Sequence, residues 1–190
     1  MWRLAVLVAA ASLAMITDAD AVRRAKPLVS HAVISDGPSH RRLFKVSGLE
    51  ELGSVAISRA YLEFDVQGVS EDRVLYLSLS PVTTQWEPGS VQWRNGWTRP
   101  GGDFDPDLAA YASVSLSGDG RKATFDVTPI VKEVVEAGME CHGFILNVQP
   151  RVREDGIRGE DLGRLGGLQG AELIVEYRNV PPRPPGRRRG

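Results

Sequence analysis

Short runs of alternating or β-branched apolar residues, cut at close intervals by Gly, Pro, Asp and Ser, fill the chain between Leu28 and Tyr177. Such a pattern builds strands and little else, because a period of two sends side chains to one face of a sheet while the punctuating residues supply turns. It predicts strands over 28–34, 42–46, 56–66, 74–81, 112–116, 123–127, 143–148 and 171–177. Leu62, Phe64 and Val66 alternate with Tyr61, Glu63 and Asp65. Leu173, Val175 and Tyr177 alternate with Ile174 and Glu176 in the last run.

One stretch changes period. Thr128 suits an N-cap, Pro129 suits the first helical position, and Ile130, Val131, Val134 and Val135 share one face, with Gly138 as the stop. The Asp126 carboxylate stands where it can accept bonds from amides at the helix start. Eight strands and one short helix give an all-β fold, a β-sandwich of jelly-roll kind with the helix laid across it.

The first residues are expected to lie outside this fold. Arg3 precedes an apolar run from Leu4 to Ile16, and Ala19-Asp20-Ala21 has the small-x-small form of a cleavage site, so residues 1–21 read as a signal peptide. The run is shorter than the roughly 18 apolar residues of a membrane-spanning helix, so no stable membrane insertion is expected after cleavage. Residues 22–27 then read as a linker and 28–179 as one domain. Residues 180–190, with Arg183, Arg187, Arg188 and Arg189 among prolines, read as a disordered tail. A secreted, extracellular protein follows. The formal net charge of −1 over 190 residues carries no basic footprint for nucleic acid. With one cysteine, Cys141, no internal disulfide can form, and the 42% apolar composition must hold the fold. Cys141 stands next to His142, but neighbours on a strand face opposite ways, so a half-buried spare thiol is the expected state.

Three of the four tryptophans, Trp86, Trp93 and Trp97, fall in one segment that ends in the loop Arg99-Pro-Gly-Gly-Asp103. Trp86 and Trp93 are expected to fill or cap the core. Trp97 sits among Arg94, Asn95 and Arg99 and has two readings. It is an aromatic platform on which a sugar ring stacks while its neighbours bond hydroxyls or uronate carboxylates, or it folds back onto the sandwich. Asp103, Asp105 and Asp107 alternate as calcium ligands in extracellular loops do, though Leu108 and Val114 stand where an EF-hand needs Gly and Glu. The competing reading is a turn with solvated carboxylates. His31, His40 and His142 are scattered without zinc-site spacing, and no nucleophile elbow, phosphate loop or dinucleotide fingerprint occurs.

Taken in order, these segments have a family likeness. Arg42-Leu-Phe-Lys-Val46, Ile57-Ser-Arg-Ala-Tyr-Leu-Glu-Phe64, the Trp-Glu-x-x-x-Val-x-Trp segment at 86–93, Phe125-Asp-Val-Thr128, Gly143-Phe-Ile-Leu146 and Ala171-Glu-Leu-Ile-Val-Glu-Tyr177 together resemble the DNRLRE-type domains. These belong to secreted bacterial and archaeal proteins and are related to disaggregatase repeats. The likeness covers residues 28–178. It implies a β-sandwich related to carbohydrate-binding modules, alginate binders included. A weaker, fold-level likeness links Asp126-Val-Thr128 and the strand after it to propeptides of TGF-β-like growth factors, without the cystine-knot domain that follows there.

The expected function is therefore a non-catalytic module with no cofactor beyond a calcium ion. It would bind a polysaccharide, an anionic glycan first, or another extracellular surface through Trp97, Arg94, Asn95 and Arg99. The alternatives are a structural or protein–protein adhesion module of a surface assembly and, third, a polysaccharide-degrading enzyme.

Overall fold

Alternation along the sheet strands sorts the chain into an inside and an outside. The computed structural model describes residues 21–37, 39–65, 74–115, 122–148 and 170–180. Residues 1–20 of the expected signal peptide 1–21, the residues from 181 onward, and the expected strand ends at Val66 and Leu116 lie outside the described residues. The strands are β1 (Val22–Asp36), β2 (Ser39–Val46), β3 (Val55–Asp65), β4 (Val74–Pro81), β5 (Ala110–Ser115), β6 (Lys122–Asp126), β7 (Phe144–Val148) and β8 (Glu172–Asn179). One helix, α1 (Thr128–Val135), follows β6.

All strand pairs are antiparallel, and the ladder order is β5-β4-β7-β2-β1-β8-β3-β6. Within that order β1 pairs β8, β2 pairs β7, β3 pairs β6 and β4 pairs β5. That nesting is a long two-stranded ribbon doubled back between β4 and β5 and rolled into two layers, β1-β8-β3-β6 and β2-β7-β4-β5. It is the jelly roll expected from the strand pattern.

The two layers meet through one strand. Val22 to Pro27 of β1 pair with β8, and the register then breaks between Leu28 and Ser30, after which Ser30 to Asp36 pair with β2. Residues 22–27 are therefore the first half of a structural strand and not a linker. Their sequence hides this: Arg23, Arg24 and Lys26 break the apolar alternation, and Pro27 removes a ladder donor. The proline stands at the crossover, where β1 leaves one partner for the other. Lys26 is buried, and its ammonium reaches out to Glu51 at 3.0 Å, as a long amphipathic side chain does when its stem packs inside.

Between the layers lie Leu62, Phe64, Leu75, Leu77, Leu79, Phe125, Leu146, Leu173 and Val175, all essentially without exposure. Phe44 stacks on Phe144 with centroids 5.7 Å apart, and Phe64 on Phe125 at 5.9 Å. Buried aromatics of this size dominate core energetics.

The helix closes one side of that core with Ile130 and Val131. Its cap differs from the expected one. Val127 is the N-cap residue, and the Thr128 hydroxyl oxygen accepts the backbone N–H of Ala60 at 2.9 Å. Val127 N–H donates to the Ala60 carbonyl, also at 2.9 Å. The threonine thus fastens the helix to β3 instead of capping it. Asp126 does accept an amide at the helix start, from Thr128 at 3.0 Å. Gly138 carries the positive φ of 75° that ends the helix. At a register break in β3 between Ile57 and Arg59, the Ile57 N–H donates to the Glu136 carboxylate at 2.6 Å. A carboxylate from the helix end so satisfies a donor beside the bulge.

Candidate functional site

The apolar residues from Val82 to Phe104 pack outside the space between the layers, and Leu108 then returns to the main core. Strand residues that point the other way, Ala32 and Ile34 of β1, Leu43 of β2 and Ile145 of β7, form a second buried cluster on the outer face of one sheet. Val82, Trp86 and Val91 cover them, and Trp93, Trp97 and Phe104 pack against the cluster half-buried. Trp86 and Trp93 are thus core residues, but of this outer cluster. Trp86 is 3% exposed and donates its indole N–H to the His142 carbonyl at 2.9 Å.

Cations on β2 hold the segment down. The Arg41 guanidinium lies 5.0 Å from the Trp93 ring centroid and 5.1 Å from that of Phe104, and donates to the Gly101 carbonyl at 2.5 Å. A guanidinium over two ring faces gains from both quadrupoles, more so where water is excluded. Burial, and then the nearby Arg99 charge, lower the Arg41 pKa from its ordinary value; an arginine remains charged at neutral pH regardless. Lys45, two residues along the same face, lies 5.0 Å from the Trp86 ring and 3.4 Å from the Glu87 carboxylate. Neither cation belongs to the site expected from sequence. Their signal is the alternation Arg41, Leu43, Lys45 on a strand whose other face carries Arg42, Phe44 and Val46.

Asp103 is the pin of the loop. Its Oδ2 accepts the Thr84 hydroxyl at 2.9 Å and the Thr98 N–H at 2.8 Å, while Oδ1 accepts the Thr98 hydroxyl at 2.8 Å and the Arg99 N–H at 3.3 Å. Burial by itself would raise this carboxyl, and the donors outweigh it and hold the group below the usual carboxylate range. With its oxygens so occupied, Asp103 is not the metal ligand that the alternation suggested. Asp105 accepts the Asp107 N–H at 2.9 Å in a local turn, and Asp107 is exposed. Among the described residues no group of three His, Cys, Asp or Glu is arranged to hold a metal ion.

The residues expected to bind ligand sit on this pinned loop. Trp97 is half-buried, folded toward the outer cluster, with its indole N–H donating to the Gln92 carbonyl at 2.8 Å. It is not a freely projecting platform. Arg94 is exposed and pairs with Asp36 at 2.9 Å, a contact that raises the guanidinium. Asn95 is exposed, and its backbone exchanges hydrogen bonds with that of Gln92. Arg99 is exposed, donates to the Phe104 carbonyl at 3.2 Å, and lies 5.9 Å from the Phe104 ring. A shallow hollow of about 170 Å³ opens beside them, lined by Gln85, Trp86, Glu87, Ser90, Val91 and Gly96.

Cys141 and His142 diverge. The thiol is directed at the Gly143 carbonyl at 3.2 Å, and the imidazole lies 3.1 Å from the Glu140 carboxylate. Burial pushes the Cys141 thiol above its ordinary pKa, the opposite of what a nucleophilic thiolate needs. No helix among the described residues is long and apolar enough to cross a membrane. Comparison with protein-family models and with curated proteins finds no match for this chain.

Proposed function

We propose that the chain is a secreted, non-catalytic jelly-roll module of DNRLRE type that binds an anionic polysaccharide through the loop laid on its outer sheet face. The observation that supports this reading most is the loop's own construction. A buried apolar cluster beneath it and the Asp103 pin hold Arg94, Asn95 and Arg99 exposed around the partly exposed Trp97. A preformed site of this kind loses little entropy on binding. Trp97 offers one ring edge or face to a sugar, and the arginines offer planar donors to uronate carboxylates. The Arg94–Asp36 pair is solvent-exposed and therefore weak enough to be exchanged for a ligand carboxylate.

Affinity electrophoresis through alginate, with a neutral glucan as control, tests the reading. Retardation in alginate that falls severalfold in Trp97→Ala and Arg94→Ala supports it. Binding unchanged by Trp97→Ala sinks the site, and no retardation in any acidic glycan sinks the function. An adhesion or assembly module is the second reading, favoured by Tyr111, which is 66% exposed on β5, the strand at one end of the sheet order. It predicts self-association without glycan affinity, measured by sedimentation.

A further inference from the structure

A second hollow lies away from that loop, under the far end of α1. The helix docks by Ile130 and Val131 in its first turn, while Val134 and Val135 in its last turn are only half-buried. Across from them, the turn at Glu50–Leu52 and the start of β7 stand back, leaving a cavity of about 340 Å³ that opens to solvent on one side. Its apolar wall is Val46, Leu49, Val134, Met139 and Phe144.

Two glycines help to keep it empty. Gly53 and Gly143 both line it and both have positive φ, 60° and 113°. At Gly143 a side chain is excluded, because its Cβ would collide with the Phe44 carbonyl oxygen. Small-molecule sites have volumes of about 300–1,000 Å³ and set polar groups among apolar side chains, and this hollow has both in similar measure.

The polar group here is a carboxylate. Glu50 lines the cavity from the turn and is itself exposed, so its charge stands at the mouth. Glu51 beside it is occupied by Lys26. On the other side of Val135 a more open hollow of about 350 Å³ shares Gly53 and Val135 with the first and carries Glu136. Among the described residues no cationic side chain lines either hollow. The side chains of Val46, Leu49, Val134, Met139 and Phe144 beside the one carboxylate of Glu50 match a ligand with an apolar body and a cationic end.

We infer that the cavity between α1 and the Glu50–Leu52 turn is a binding site for a small aliphatic amine, its alkyl chain inside and its ammonium at Glu50. This site is separate from the glycan-binding loop and does not depend on it. Cys141 lines the same cavity and is the only cysteine, so its thiol reports occupancy directly.

The test follows the reaction of Cys141 with 4,4′-dithiodipyridine in the full chain as the concentration of octylammonium rises. Saturable slowing is expected, with octanoate at least about fivefold weaker, the scale of one exposed ion pair. Glu50→Gln, an exposed substitution, should bring the two ligands level, and Val134→Phe should abolish the protection by filling the space. Ligand-observed NMR on both variants separates loss of binding from altered thiol access. Unslowed labelling by octylammonium, or equal protection by octanoate in the unsubstituted protein, overturns the inference.

Discussion

Thr98 meets Asp103 twice, its N–H donating to Oδ2 and its hydroxyl to Oδ1, each at 2.8 Å. One residue thus engages both oxygens of one carboxylate and fixes the loop between them. Removing the carboxylate leaves the Thr84, Thr98 and Arg99 donors short of an acceptor. Asp103→Ala should therefore destabilise the protein by about 3 kcal/mol, the scale of a buried charged acceptor lost with its partners left behind. Denaturant titration followed by tryptophan fluorescence measures it, since Trp86, Trp93 and Trp97 all lie in the loop.

The same group sets a pH dependence. Its folded pKa lies below its unfolded value, so the folded state binds fewer protons than the unfolded one through that window, and stability rises with pH there. The contribution is complete above the unfolded value of about 3.9 and is lost as pH falls through the folded value. The stability gap between the unsubstituted protein and Asp103→Asn should therefore narrow as pH falls from neutral through the folded value. An unchanged gap between them would refute the assignment.

Arg41 is expected to be irreplaceable by lysine. Its planar guanidinium serves Trp93, Phe104 and the Gly101 carbonyl together, and an ammonium is a point charge without that fork. Arg41→Lys should cost about 1 kcal/mol and Arg41→Ala about 2 kcal/mol. In both, the tryptophan emission should shift to the red and limited proteolysis should cut first within the loop.

Two glycines should respond differently to the same substitution. Gly138 has φ +75° with open space where a Cβ would stand, so Gly138→Ala should cost about 1 kcal/mol of backbone strain. At Gly143, φ is +113° and the obstacle is the Phe44 carbonyl, which is backbone and cannot swing aside. Gly143→Ala should cost at least about 2–3 kcal/mol. Thermal melts of the two variants side by side decide this.

The sandwich is legible in the sequence wherever one face of a strand is dry and the other wet. Leu62 and Phe64 against Tyr61 and Glu63, and Leu173, Val175 and Tyr177 against Glu172 and Glu176, announce their strands because local alternation and burial agree. Strand β1 is half hidden because Lys26 is buried by snorkelling toward Glu51, a partner far along the chain. Ile145 belongs to a strand with both faces covered, which reads as the unbroken apolar run Phe144-Ile145-Leu146 and conceals the second cluster. The loop residues of the candidate site can be picked by type, but their partners cannot. Nothing local indicates that Asp36 faces Arg94, or that Thr128 binds β3 instead of capping its own helix. Those are long-range placements, set by the rolling of the ribbon.

That rolling joins Val22 to Tyr177 as partners at the two ends of the domain. The first strand therefore has no sheet neighbour on that side until the last one has been synthesised. Pairings of such long range make for slow folding, in milliseconds to seconds for all-β domains, because the chain must close its largest loop before the contact repays it. During synthesis the β1 edge stays open longest, and its Arg23, Arg24 and Lys26 act as a charged guard against mispairing with other chains. The basic residues that disguise the strand in the sequence are then what keeps it safe while it waits.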